Sequence, residues 1–129
     1  MADKRLFAIR GATFCENTEE SIIRYVGEMC RSIFLQNSLA TEDIVSIQFT
    51  MTEDLDAVNP ARALRLSKDM SVDVSSVPLF CSQEVKTVGM LQKVVRVLVT
   101  AYMPPDAKIY PAYINGAQVL RPDLGEQKK

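Results

Sequence analysis

Residues 77–96 read VPLFCSQEVKTVGMLQKVVR. The segment opens as an apolar strand, places Cys81, Gln83 and Glu84 at its end, turns at Gly89, and re-enters a second apolar run that continues as VVRVLV. Short runs of β-branched and apolar residues on either side of a glycine turn predict two strands of a sheet. In the second run, residues 91–102, Arg96 shares a face with Val94, Leu98, Thr100 and Tyr102. A cation in such a strand is costly to bury without a counter-charge. Two readings of Arg96 therefore stay open at this point: a structural cation paired with Glu84 or another acid, and a binding group for an anionic ligand.

The chain before this segment supplies a helix and further strands. Residues 6–10 read as a strand, followed by Gly11, which permits a sharp turn. Asn17 with Glu20 three residues later has the pattern of a capping box, and Glu19 adds favourable charge to the first turn. Ile22, Val26, Met29, Cys30, Ile33 and Phe34 then form one apolar stripe, predicting a long amphipathic helix that lies on a sheet and ends near Asn37. From residue 45 the period becomes alternating: Val45, Ile47, Phe49 and Met51 on one face, Ser46, Gln48, Thr50 and Thr52 on the other. Asn59-Pro60 places an N-cap before a proline suited to the first helical position, predicting a short helix over 60–66 with Arg62 and Arg65 on neighbouring positions. Residues 68–76 read as loop.

Beyond residue 102 the signals are turns. Pro104-Pro105 breaks the chain, and Asn115-Gly116 between residues 110–114 and 117–121 predicts a β-hairpin. Pro122 is expected to end the second strand of that hairpin, and residues 125–129 to form a flexible tail.

Composition excludes whole classes of chemistry. With no histidine among the 129 residues, the chain has no Ser-His-Asp or Cys-His machinery, no imidazole acid-base group, and no zinc site that needs imidazole. Cys15, Cys30 and Cys81 are odd in number and lack C-x-x-C spacing, which argues against a disulfide framework or a thiolate metal cluster. Fifteen basic and 16 acidic residues, with no separate basic block, argue against nucleic acid as a partner. No apolar run approaches the ~18 residues of a membrane span, and the apolar segment after Lys4-Arg5 is too short for a signal peptide. The expectation is a cytoplasmic protein without a membrane partner, with residues 1–129 as a single domain. Any catalysis rests on Arg, Lys, Glu, Asp, Tyr or Cys. Taken singly, the candidates have ordinary readings: Glu84 a solvated carboxylate, Cys81 a small apolar residue, Arg62 and Arg65 a wet helix face, Tyr113 cross-strand packing.

Five stretches taken together say more. IRGAT (9–13), DLDAVNPARALR (54–65), VPLFCSQE (77–84), RVLVT (96–100) and VLRPDL (119–124) resemble, in this order and spacing, the monofunctional α/β-barrel class of chorismate mutase over nearly the whole chain. The resemblance implies an α/β (α+β) fold: a pseudo-α/β-barrel with a mixed sheet packed by one long and one short helix, assembled as a homotrimer with active sites at subunit interfaces. The implied substrate is chorismate and the product prephenate, in aromatic amino-acid (Phe/Tyr) biosynthesis. It further implies that Arg10, Arg96 and Tyr113 hold the two carboxylates, with Arg96 also reaching the ether oxygen, and that Glu84 and Cys81 stand by the ring hydroxyl. Arg65 would add positive charge at the pocket mouth, Arg62 would stand where the family commonly has lysine, and Ala61 and Leu120 would line the pocket. Two positions depart from the pattern: Asn59 stands where the family commonly has phenylalanine, and Phe80 where threonine precedes the cysteine, as though an aromatic had moved between walls of one pocket.

The implied reaction suits a chain without histidine. An intramolecular [3,3] rearrangement needs no nucleophile, no metal and no cofactor, only a held conformer and stabilisation of charge on the breaking ether bond. A trimeric metabolite-binding module that holds a related carboxylate without turnover is the alternative. A structural oligomer in which Arg96 only pairs with Glu84 is a third reading.

Overall fold

An apolar stripe along a helix must be buried against something. In the computed structural model, which describes residues 3–125, helix α1 (Glu19–Gln36) buries Ile22, Val26, Met29, Cys30, Ile33 and Phe34 to 1% exposure or less. These side chains share one core with Ile9, Ile47, Phe49, Val95, Val97 and Val99 from the sheet.

The sheet has five strands: β1 (Arg5–Phe14), β2 (Ile44–Met51), β3 (Leu79–Gln83), β4 (Val94–Met103) and β5 (Ala112–Ile114), in the order β3-β2-β4-β1-β5. Strand β4 runs antiparallel to both β1 and β2, while β3 is parallel to β2 and β5 parallel to β1. Parallel neighbours need a crossover, and the short helix α2 (Pro60–Leu66) lies in the one between β2 and β3. The architecture is thus the expected α+β one, a mixed sheet with one long and one short helix. Single 3₁₀ turns at Thr41–Asp43 and Ala117–Leu120 and a short α3 (Pro122–Gly125) complete it. Residues 126–129, most of the expected tail, lie outside the described residues.

The cap at Asn59 forms as the sequence indicates, its Oδ1 accepting from Ala61 N at 2.8 Å and Arg62 N at 3.4 Å. Several local expectations do not hold. The cap of α1 is Thr18, whose hydroxyl accepts from Ser21 N at 3.1 Å. Asn17 instead braces a loop: its amide accepts from Asp56 N and Ala57 N and donates to Asp56 Oδ1. In β2, a bulge between Ile44 and Ser46 turns Val45 outward, 41% exposed, and gives the inward place to Ile44. Thr52 is buried rather than solvent-facing, because it extends the β2–β4 ladder through Val94.

The predicted hairpin at Asn115-Gly116 is absent. Both residues adopt positive φ, 50° and 87°, yet the chain enters a 3₁₀ turn rather than a returning strand. Ala117, Leu120 and Leu124 have a helical rather than alternating period, and they close over Ala12 and Tyr113 in a second apolar cluster. Pro122 accordingly opens α3 instead of ending a strand.

Gly11 does not turn the chain; it sits inside β1, between β4 and β5. A Cβ there would come within 2.9 Å of Ala112 O and of Val97 Cγ1, and 3.0 Å of Ile33 Cδ1. The missing side chain lets β5 and α1 both approach this point. Gly11→Ala is therefore expected to destabilise the chain by about 1–3 kcal/mol through overpacking, read as a lower urea midpoint at unchanged slope.

Candidate active site

Strand β4 has one face against α1 and one away from it. Val95, Val97, Val99, Ala101 and Met103 are buried, whereas the Arg96 side chain is 41% exposed. The cation is not buried in an apolar strand as its sequence context suggests; alternation carries it to the other face of the sheet.

Register then lines up side chains on that face. Ser82 pairs with Thr50, Thr50 with Arg96, Arg96 with Ala12, and Ala12 with Tyr113. Strands about 4.8 Å apart put the backbones of Arg96 and Tyr113 about 10 Å apart, with the small Ala12 between them. The next row holds Phe80, Gln48, Leu98 and Arg10. A cavity of about 490 Å³ opens over these rows, lined by Arg10, Gln48, Thr50, Phe80, Ser82, Glu84, Arg96, Leu98, Tyr113 and Arg121 among others. Its size suits a small metabolite.

The neighbouring structure holds each of these groups. Tyr113 lies on β5, which is pinned at one end by Asn37, donating to Tyr110 O at 2.9 Å and accepting from Tyr110 N at 2.9 Å. At the other end Asn115 donates to Phe14 O at 2.7 Å. Glu84 follows β3; its amide donates to Met51 O at 2.9 Å, and its Oε1 accepts from the Thr50 hydroxyl at 2.6 Å and faces Arg96 Nε at 3.3 Å. Arg121 reaches the cavity from the C-terminal segment and pairs with Asp123 through two bonds of 3.1 and 2.8 Å. That hydrogen-bonded pairing raises the Arg121 pKa and holds the Asp123 carboxyl below its ordinary range. Three guanidinium groups thus line a cavity with a single carboxylate, Glu84, an arrangement that suits a dianion.

Not every candidate meets here. Cys81 and Asn59 line a separate cleft of about 350 Å³ with Thr52, Leu55 and Pro60, where the Asn59 amide donates to Cys81 Sγ at 2.8 Å. Phe80, 68% exposed, points to the opposite side of β3 from Cys81. Within one chain Asn59 and Phe80 therefore line different cavities, not two walls of one. Arg62 and Arg65 stand exposed on α2 and line neither space, Ala61 is buried on the same helix, and Leu120 packs against the Ala12–Tyr113 cluster. The sequence reading missed Arg121, Gln48, Thr50 and Ser82. Arg121 lay inside the quoted VLRPDL stretch without being singled out, and the other three look like ordinary polar positions of half-buried strands. Among the described residues no group of three or more Cys, Asp or Glu is disposed to hold a metal ion, and no helix is long and apolar enough to cross a membrane.

Known proteins share the sequence and the fold of this chain. The family model described as chorismate mutase type I matches residues 6–124. The chain is 37% identical over 122 residues to chorismate mutase AroH of Bacillus subtilis (strain 168), covering 93% of each chain. It is 34% identical over 119 residues to chorismate mutase AroH of Thermus thermophilus, covering 90% of this chain and 93% of the other. A solved chorismate mutase from Clostridium thermocellum superposes with a TM-score of 0.76 at 37% identity, over 88% of this chain and 98% of that one.

The three cysteines are all free and differ in environment. Burial pushes the Cys30 thiol up to about 12, and burial with the nearby Glu16 charge does the same to Cys15, so neither forms the nucleophilic thiolate near neutral pH. Cys81 is only partly buried. Iodoacetamide at pH 8 is expected to modify Cys81 alone in the native protein and all three thiols in denaturant, as read by peptide mass analysis. Native labelling of Cys30 would contradict this packing.

Proposed function

The chain belongs to the chorismate mutase type I family, and we propose on that premise that it converts chorismate to prephenate in Phe/Tyr biosynthesis. The observation that carries the reading is the open-face cavity in which Arg10, Arg96 and Arg121 stand with Tyr113 opposite Glu84. Chorismate presents two carboxylates, an ether oxygen between its side chain and ring, and a ring hydroxyl. Arg10, Arg96 and Tyr113 take the carboxylates, with Arg96 also reaching the ether oxygen, Arg121 adds positive charge beside them, and Glu84 meets the ring side.

The rearrangement is a closed cycle of electrons. The ether C–O bond breaks as a C–C bond forms and the double bonds shift, with nothing gained or lost. Holding both carboxylates selects the compact conformer in which the reacting carbons are close. As C–O cleavage runs ahead, negative charge gathers on the ether oxygen, and Arg96 stabilises it with a guanidinium charge already in place. Glu84 favours the complementary positive character of the ring.

The same proposal includes a homotrimer with the site at each interface. Leu6, Tyr102 and Phe80, 48%, 43% and 68% exposed, lie on the face that carries Arg96, where packing against another copy covers them. Leu120 lines the pocket from beside Tyr113 on the same chain, and Cys81, Asn59, Ala61, Arg62 and Arg65 complete it where a neighbouring chain brings its α2 and β3 alongside. The enzyme acts in the cytoplasm, where three free thiols stay reduced, and residues 1–129 work as one domain.

The test follows loss of the chorismate diene absorbance, with chelator present. Wild type is expected to turn over chorismate, and Arg96→Ala to lose about 100-fold or more in kcat with a smaller change in KM. Arg96→Lys keeps the charge without the planar fork and should remain far below wild type. A normal kcat with only a raised KM in Arg96→Ala would reduce the guanidinium to a binding group. Activity should also follow the trimer in sedimentation, and a fully active monomer at assay concentration would remove the interface from the proposal.

A further inference from the structure

Glu84 has two neighbours on the open face, and they hold it differently. Its contact with Arg96 is an ion pair of 3.3 Å through Nε, longer than a strong charge-assisted hydrogen bond. Its contact with Thr50 is a hydrogen bond of 2.6 Å from the hydroxyl to Oε1, at the short end for an O–H donor to a carboxylate. Arg96 and Thr50 both address Oε1. The backbone adds a second anchor on the same strand, since Glu84 N donates to Met51 O at 2.9 Å. Strand β2 thus grips Glu84 at both main chain and side chain through consecutive residues, Thr50 and Met51.

We propose that Thr50 is a positioning residue for the rearrangement: its hydroxyl fixes the Glu84 carboxylate so that the carboxylate does not close onto Arg96. The inference rests on the assignment of this cavity to chorismate. A carboxylate free to rotate beside a guanidinium settles into the two-point, fork-to-fork pair. Such a pair would occupy the donors that Arg96 needs for the substrate carboxylate and ether oxygen. It would also turn both Glu84 oxygens toward the guanidinium and away from the ring. With Oε1 tied to Thr50, the pair stays loose and Oε2 keeps its direction. Register makes the bond possible, because Thr50 is the cross-strand partner of Arg96 on β4 and of Ser82 on β3, two residues before Glu84. No other position of β2 faces both groups on this side of the sheet.

The test compares Thr50→Val, which keeps the shape and strand preference but removes the hydroxyl, with Thr50→Ser, which keeps the hydroxyl. Both are assayed with chorismate at a temperature where circular dichroism shows each variant fully folded. Thr50→Val is expected to lose about tenfold in kcat with KM within about threefold of wild type, and Thr50→Ser to recover most of the loss. A merely structural role would lower the melting temperature and leave kcat per folded chain unchanged, which would overturn the proposal. So would a Thr50→Ser enzyme as slow as Thr50→Val, since the hydroxyl would then not be the active group. A wild-type chain that does not turn over chorismate would instead refute the reaction itself, an outcome separate from a neutral Thr50→Val in an active enzyme.

Discussion

The burial of α1 against one side of the sheet is the constraint on which the cavity depends. Once Val95, Val97 and Val99 face the helix, alternation leaves Arg96 no choice but the other side. A one-residue slip between β4 and its neighbours would send the guanidinium into the core and the valines to water, a loss of several buried side chains at once. The same packing therefore holds both the stability of the sheet and the direction of its central cation. Gly11 contributes by absence, admitting Ile33 of the helix and the backbone of β5 at the level where β1 passes Val97.

Electrostatics on the open face are poised rather than satisfied. The ion pair between Arg96 and Glu84 is partly exposed, and such pairs contribute little to stability. Rearranging it around a dianion thus costs the fold little, while the backbone positions of both groups stay fixed by strand pairing. Arg121 is tied more tightly, through two bonds to Asp123, and comes from the C-terminal segment rather than the sheet. The cavity draws its charge from a rigid floor and from a separate wall.

Much of the framework was legible because it follows local rules. The stripe of α1, the cap and proline of α2, and the apolar runs of β3 and β4 are each written within a few consecutive residues, and each formed. The misreadings came where distant contacts decided between local options. Asn17 had the chemistry of a cap, but its amide found Asp56 and Ala57, leaving the cap to Thr18. Asn115-Gly116 has a hairpin's signature and its positive φ values, but the residues after it bury better over Ala12 than in a strand. Of the candidate site, Arg10, Arg96, Glu84, Tyr113 and Phe80 share one cavity, whereas Cys81 and Asn59 line the next.

Composition alone settled that chemistry here proceeds without histidine, local periodicity settled the long helix and the middle of the alternating strand β2, and a cap with its proline settled the short helix. Which residues meet was decided by tertiary structure. Strand order β3-β2-β4-β1-β5 brings positions from all parts of the chain onto one row, and no local pattern encodes an order of strands. Thr50 and Arg121 show the consequence. Each looks ordinary beside its sequence neighbours. Thr50 acquires Glu84 only when strand register sets the two together, and Arg121, paired locally with Asp123, lines the cavity only because the C-terminal segment closes over Ala12 and Tyr113. Hydrogen bonds depend on distances of about 3 Å that sequence separation does not carry.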